Sequence, residues 1–253
     1  AERADPTMAV TPRYWVAASE VEARLAGRTE RPWLFAFREV TRSTDERTMI
    51  TSFLPRMAVG HKSPLVFADV DILQYCALNA LFNALAFDFA ARQKVGGISM
   101  SYFIVKQLPV LPPTAFTAAD LRFIVPRVAE LVYTSWDMAP WFADLWAEAD
   151  GELRERLEAR HAQCNRGAGP DFAPRPEAPL PPFRWDEERR AWARAQLDAR
   201  IARRYGLSRE DLRYILDPQA VHGDDFPGET FRVLKDNEIR RYGEYRTQRL
   251  VLQ

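Results

Sequence analysis

The chain has 253 residues and is formally neutral, with 35 basic and 35 acidic side chains, and 47% of its residues are hydrophobic. This balance excludes a protein that binds nucleic acid through bulk positive charge, and the apolar content excludes a wholly disordered chain. The basic residues are nearly all arginines. Composition leaves open whether this excess reflects genome composition or selection for planar, bidentate contacts. The lysines are Lys62, Lys94, Lys106 and Lys235.

The cysteines and the first residues of the sequence indicate the cellular compartment to expect. Cys76 and Cys164 lie far apart and without clustered histidines, which argues against a disulfide framework and against a zinc site. The first residues, Ala1-Glu2-Arg3, include neither a methionine nor a signal-peptide hydrophobic region. We therefore expect a piece of a longer cytoplasmic polypeptide, with no membrane partner.

The first predicted elements are two strands. Residues 32–41 and 48–54 combine aromatic and β-branched side chains, and Pro55 ends the second run. The polar link at residues 42–47 contains a possible helix-capping box, Ser43-x-x-Glu46. We favour a connection between strands, because β-branched residues and a proline follow so closely.

A long buried helix is predicted over residues 71–95, where apolar side chains occur almost all round the helix and Gly96-Gly97 provides a stop. Its asparagines at positions 79 and 83 share a face, and we expect them to satisfy backbone or neighbouring groups. These two asparagines and Asp88 are too many polar residues for a membrane-spanning helix. Residues 98–113 are predicted to form a strand followed by an extended, proline-terminated exit, and the first domain is predicted to close there.

Helical signals dominate after residue 113. Thr117 is predicted to cap a helix that runs to Leu131, and Ser208 a helix that runs to Leu216. A charged amphipathic helix is predicted over residues 186–205. Three tryptophans, at positions 136, 141 and 146, recur at a spacing that fits no single helical face, so we expect them to pack at several contacts.

Together these elements predict an α+β fold, with a small mixed β-sheet and a long buried helix followed by a mainly helical C-terminal region. Residues 114–151 carry six acidic and two basic side chains and divide two slightly basic regions. The predicted domains are residues 1–113, a helical, tryptophan-rich connector at 114–166, a proline-rich linker at 167–182 and a helical region at 183–253.

Catalytic motifs are scarce. The three histidines are widely separated, and the sequence contains no Gly-x-Ser-x-Gly elbow, no Walker loop, no acidic-x-Lys nuclease pattern and no Asn-Pro-Pro-aromatic tetrapeptide. We therefore expect no catalytic or metal-binding residue in this chain.

Two polar clusters instead have the composition of a nucleic-acid interface. Arginine and lysine suit phosphates and guanine edges, while short hydroxyl and carboxylate side chains can bind base edges. The alternative is an ordinary solvated loop, with the glycine pair simply ending a helix. The first cluster comprises Arg38, Arg42, Ser43, Thr44, Asp45, Arg47 and Lys62. The second comprises Arg92, Lys94, Gly96, Gly97, Ser101, Tyr102 and Lys106.

These clusters also carry a family resemblance. The sequence resembles the C-terminal target-recognition region of large Eco57I-like DNA adenine methyltransferases, the type IIG or type ISP-like enzymes of restriction-modification and phage defence. It is also similar to half of a type I specificity subunit. The segments that carry the resemblance are residues 41–50, 54–55, 60–62, 78–79, 87–97 and 102–113, and residues 205–217 and 226–235 resemble the tail of the same enzymes.

The resemblance implies that residues 1–113 form a DNA target-recognition domain and bind double-stranded DNA. An N-terminal methyltransferase domain of the parent chain would bind S-adenosylmethionine and methylate adenine N6 after flipping the base from the duplex. No cofactor is expected in the present chain. The arginines and lysines of both clusters would contact phosphates or guanines, and Ser43, Thr44, Asp45, Ser101 and Tyr102 would read base edges.

The competing hypothesis is a protein-interaction or scaffolding module that docks against other domains of a defence complex. Its support is the neutral total charge, the acidic, tryptophan-rich middle segment and the charged helix at residues 186–205. An independent nuclease is a third hypothesis, but it requires a metal-binding carboxylate cluster, and we identify none in the sequence.

Overall fold

The computed structural model of the protein describes residues 4–9, 11–228 and 230–253. A short helix, α1 (Ala18–Leu25), precedes two strands, β1 (Trp33–Phe37) and β2 (Thr51–Pro55). The later elements of the described chain are helical: α2 (Ile72–Phe82), α3 (Leu85–Arg92), α4 (Tyr102–Val105), α5 (Ala118–Val132), α6 (Ala139–Glu148), α7 (Gly151–Cys164), α8 (Glu187–Arg204), α9 (Arg209–Leu216), α10 (Gln219–His222), α11 (Arg232–Tyr242) and α12 (Arg246–Leu252), with single 3-10 turns at Pro113–Ala115, Trp136–Met138 and Pro170–Phe172. The α+β fold class is as predicted.

Strands β1 and β2 pair antiparallel, with Phe35 opposite Phe53, so the sheet is antiparallel and not mixed. Every residue of β1 is buried, because the aromatic side chains pack against α2. Trp33 and Phe35, for example, make edge-on ring contacts with Tyr75 at 5.0 and 5.8 Å. Both predicted strands are confirmed with shorter bounds, and residues 42–47 form a loop, as favoured over the capping-box helix.

The helix predicted over residues 71–95 is divided into α2 and α3, which meet at an angle of 58°. The Asn83 side chain exchanges hydrogen bonds with Thr51 and also donates to the carbonyl of Asn79 at 2.8 Å. Ala84 is then extended, and the backbone N–H of Leu85 donates to the Asp198 carboxylate at 2.8 Å. A carboxylate from a distant helix therefore binds the first N–H group of α3. The asparagines satisfy neighbouring groups, as predicted.

The strand predicted at the start of residues 98–113 is wrong. Only Ser99 forms an isolated bridge, opposite Val40, and α4 follows it directly. The Ser101 hydroxyl accepts a hydrogen bond from the N–H of Ile104, which caps the helical turn. The apolar run could not distinguish a strand from this capped turn, because it is too short for a clear periodicity.

The main core joins the sheet to α5, α6 and α7. The ring centroids of Phe53 on β2 and Trp141 on α6 are 4.9 Å apart, so residues on both sides of position 113 share one core. The predicted capping box of α5 is present, with Thr117 and Asp120 bonded reciprocally. Trp141 is fully buried, whereas Trp136 and Trp146 pack at the margin of the core.

A second, smaller core lies among the C-terminal helices, where Leu216, Phe231 and Leu250 pack with Leu85 of α3. The N-terminal caps of α8 and α9 are Asp186 and Ser208, and the cap at Ser208 is as predicted. Helix α8 contributes to both cores and so connects them. Among the described residues, no single helix has the length and apolar composition of a membrane span, although the bent pair α2 and α3 has them when taken together.

Stability should fall in mild acid because of His161 on α7. Its ring packs against Phe183, with centroids 5.2 Å apart, and burial lowers its pKa below the usual 6.5. The unfolded chain then binds more protons than the folded chain as pH falls below 6.5, which favours unfolding. We expect His161→Gln to reduce the difference in urea midpoint between about pH 7.5 and about pH 5.5. An unchanged difference would assign the acid sensitivity to other groups.

Candidate nucleic-acid interface

The two predicted clusters meet along one edge of an extended strand. β1 continues in extended form to Thr41, and two segments bond successively to its edge. The N–H groups of Phe37 and Glu39 donate to the carbonyls of Pro64 and Lys62 at 3.1 and 3.0 Å. Further along, the N–H of Thr41 donates to the carbonyl of residue 98 at 3.1 Å. We call residues 38–45, 60–65 and 93–106 the β1 edge.

Glu39 joins the two segments at the centre of the β1 edge. Its carboxylate accepts a hydrogen bond from the Ser99 hydroxyl at 2.7 Å and pairs with Lys62 at 3.0 Å. These hydrogen bonds, that from Ser99 first, lower the pKa of Glu39. The acidic group is therefore held ionised, and its charge is balanced by a partner on the same edge.

Three basic side chains of the β1 edge are available for a ligand. Arg42, Lys94 and Lys106 are exposed and make no side-chain hydrogen bond or ion pair within the described chain. Lys62 is also exposed, but it is paired with Glu39. The edge thus carries a local excess of positive charge although the whole chain is neutral.

Arg92 has a different position from the one predicted. Its side chain is only 4% exposed and pairs with the fully buried Asp88 at 3.1 Å. Its guanidinium also donates to four backbone carbonyls at 2.6 to 3.0 Å, those of Ser43, Asp45, Glu46 and Thr230. The predicted DNA contact is not supported by this position, since Arg92 is the internal clamp that shapes the loop between β1 and β2.

Arg38 and Arg47 also bond within the protein. Arg38 donates to the carbonyl of Arg47 at 2.8 Å and pairs with Asp45 at 3.2 Å. Arg47 donates to the carbonyl of Asn83 at 2.9 Å and pairs with Asp198 on α8 at 3.3 Å. Both arginines have acidic and carbonyl partners in or beside the loop, so neither is a free cation of the interface.

The short polar residues of the two clusters differ in their exposure and in their hydrogen bonds. Thr44 is exposed, and Ser43 is half-buried at the same loop. Asp45 accepts from the N–H of Arg42 at 3.3 Å and from Arg38, and so organises the loop. Ser101 is the cap of α4, whereas Thr44 and Tyr102 are the exposed members of the predicted base-reading set.

The glycine pair and α4 complete the edge. Gly96 and Gly97 are exposed, have no positive backbone φ angle and have no atom within 4 Å of where a side chain would begin. No contact within the described chain therefore requires glycine there, and the backbone stays accessible. The Tyr102 hydroxyl donates to the carbonyl of Leu65 at 2.8 Å and attaches α4 to the edge.

Two features of this surface were not predicted from the sequence. Ile98 and Phe103 are 65% and 77% exposed and place apolar side chains among the lysines. Asp88 supports the loop from beneath, since it accepts from the N–H groups of Thr48 and Met49 as well as pairing with Arg92. The spacing of Asp88 and Arg92, four residues apart in a helix, was a signal for their pairing.

No group of three or more histidine, cysteine, aspartate or glutamate side chains suited to a metal ion occurs within the described residues. Comparisons of the chain with models of protein families, with curated proteins and with solved structures found no match.

Proposed function

We propose that the protein is a DNA target-recognition module that directs a methyltransferase domain of a longer parent chain to its site. The observation that carries the proposal is the convergence of two basic segments, about 50 residues apart in sequence, on the β1 edge. Unpaired cations on a surface whose acids are already paired favour a polyanionic ligand. By resemblance, S-adenosylmethionine would bind to the parent's methyltransferase domain, and the enzyme would act in the cytoplasm.

The positions of the side chains suggest a division of roles. Arg42, Lys94 and Lys106 would contact phosphates, because they are exposed and unpaired among the described residues. Lys62 would also contact a phosphate while it remains paired with Glu39. Thr44 and the exposed backbone at Gly96-Gly97 would approach base edges. Arg38, Arg47 and Arg92 would hold the loop that presents these groups.

Loss of the three unpaired cations should weaken binding to all DNA sequences alike. Each phosphate contact contributes about 0.9 to the slope of log affinity against log salt. In the variant with Arg42, Lys94 and Lys106 all changed to alanine, the magnitude of this negative slope should therefore decrease by up to about 2.7. Fluorescence anisotropy with duplexes at several salt concentrations measures this effect.

The matched control is Arg24→Ala on α1, an exposed arginine without a side-chain partner in the described chain. It lies near the opposite end of the hairpin, where Arg56 bonds Glu22 of α1. An equal loss in the control, or no loss in the triple variant, would contradict the assignment. Thr44→Ala should instead relax the preference at one base position, by about 1 kcal/mol, the net contribution of a single hydrogen bond.

Exposed Ile98 and Phe103 favour a second candidate, the docking of a protein partner on the same edge. An apolar docking contact would depend weakly on salt and would be lost in Phe103→Ala, whereas phosphate binding would keep the steep salt dependence. Anisotropy of the Phe103→Ala variant with DNA therefore separates the two candidates.

A further inference from the structure

A small polar cavity lies where α8 meets α11, α12 and the loop between β1 and β2. Its volume is about 50 Å³. Because one water needs roughly 10–15 Å³ on this measure, the cavity has room for about four oxygen-sized atoms. Its charged lining residues are three arginines and three carboxylates: Arg47, Arg194, Arg246, Glu187, Asp198 and Glu238.

The carboxylates of the lining already have partners. Asp198 pairs with Arg47 and accepts from the N–H of Leu85. Glu238 accepts from the N–H and the hydroxyl of Thr247 at 2.7 and 2.6 Å. Glu187 pairs outside the lining, with Arg241 at 2.8 Å. The acidic side of the cavity is thus satisfied.

The arginines are less completely satisfied. Arg194 is exposed and makes no hydrogen bond or ion pair within the described chain. Arg246 has a side chain that is only 6% exposed, and it pairs with Glu188 through Nη1. Its Nη2 is buried and has no hydrogen-bond partner among the described residues. A buried guanidinium with an unused donor is costly unless a ligand or water completes its bonds.

The arginines also act on one another. Desolvation, followed by the positive charges of Arg47 and Arg246, lowers the pKa of Arg194, although the carboxylates of Asp198 and Glu187 oppose this effect. The positive charges of Arg47 and Arg246 therefore disfavour the charged form of Arg194, and a bound anion would offset this effect. Arginine is suited to such a ligand because its planar fork matches the oxygens of a phosphate group.

We propose that this cavity binds a tetrahedral oxyanion, either inorganic phosphate or the terminal phosphate of a mononucleotide. Arg194 supplies the solvent-accessible donor and Arg246 the buried donor. A nucleoside would lie outside the cavity, which has room for the phosphate group alone. The site does not include the exposed cations of the β1 edge.

Isothermal titration calorimetry tests the proposal with sodium phosphate, at constant ionic strength set by chloride. We expect saturable binding to the unmodified protein and an affinity at least about tenfold lower in Arg194→Ala, as for loss of a hydrogen bond to a charged group. Arg194→Lys should be intermediate, because it keeps the charge and loses the fork. The matched control is Arg203→Ala, an exposed arginine of α8 outside the cavity lining, which should bind normally.

Absence of saturable binding to the unmodified protein would overturn the proposal, as would an equal loss in Arg203→Ala. Titration with adenosine monophosphate and with adenosine distinguishes the sources of the oxyanion. Tighter binding of the monophosphate than of inorganic phosphate assigns a nucleotide, and equal binding assigns the free anion. Binding of adenosine alone would contradict an oxyanion site. Circular dichroism verifies that each variant is folded, and Arg194→Lys provides the test if Arg194→Ala is not.

Discussion

Arg92→Met is expected to lower the free energy of unfolding by about 3–5 kcal/mol, the range for a broken buried ion pair. The substitution leaves the fully buried carboxylate of Asp88 without its cation and removes the donor to four backbone carbonyls. Methionine retains most of the side-chain length, so the loss arises mainly from unsatisfied polar groups and not from an empty volume. Urea unfolding followed by circular dichroism measures the change.

Lys94→Met, two residues along the chain, is the control for this substitution. Lys94 is exposed and has no side-chain partner within the described chain, so its stability change should stay within about 0.5 kcal/mol. At temperatures where both variants are folded, only Lys94→Met should reduce the magnitude of the salt slope of DNA binding, by about 0.9, since only Lys94 is expected to contact phosphate. A stable Arg92→Met protein with weakened DNA binding would show that Arg92 contacts DNA and would overturn its assignment as a clamp.

Glu130→Gln is expected to destabilise the protein by about 3 kcal/mol, the lower end of the range for a broken buried ion pair. Glu130 on α5 is 1% exposed, receives two hydrogen bonds of 3.0 Å from Arg189 on α8, and pairs with Arg160 on α7. Glutamine preserves the shape but leaves two arginines without a counter-charge. Both arginines keep some solvent contact, which limits the loss.

The control is Glu158→Gln, which removes a charge from an exposed position of α7. Its unfolding midpoint should be nearly unchanged, because an exposed carboxylate contributes little. Equal midpoints for the two variants would mean that Glu130 does not hold α5, α7 and α8 together. A larger loss in Glu130→Gln would identify this ion-pair cluster as a principal contact between the three helices.

Several arginines therefore form hydrogen bonds and ion pairs that stabilise the folded chain. Arg92 donates to four carbonyls, and Arg56 binds the carbonyls of residues 29 and 31 while pairing with Glu22. A lysine could not replace them, because such contacts require a planar group with several donors in fixed directions. The arginine excess, ambiguous in the composition, thus has a structural use, while three of the four lysines remain on the β1 edge.

Elements defined by neighbouring residues were predictable. The strands around Phe35 and Phe53 follow from local β-branched and aromatic content, and the caps at Thr117 and Ser208 from patterns within four residues. The break after Asn83 was not predictable in this way, since the groups bonded there, Thr51 and the carboxylate of Asp198, come from distant segments. The capped turn α4 was missed because short apolar runs suit both helix and strand.

The neutral total charge and the two polar segments of the candidate site follow from the amino-acid sequence. Which cations of those segments are available for a ligand depends on how the chain packs. Arg92 and Lys94 are two residues apart, yet one is buried among carbonyls and the other is exposed. The same packing placed Arg47, Arg194 and Arg246 around one cavity. A charged group is available only if it is exposed and lacks partners, and its partners come from segments far away in the chain.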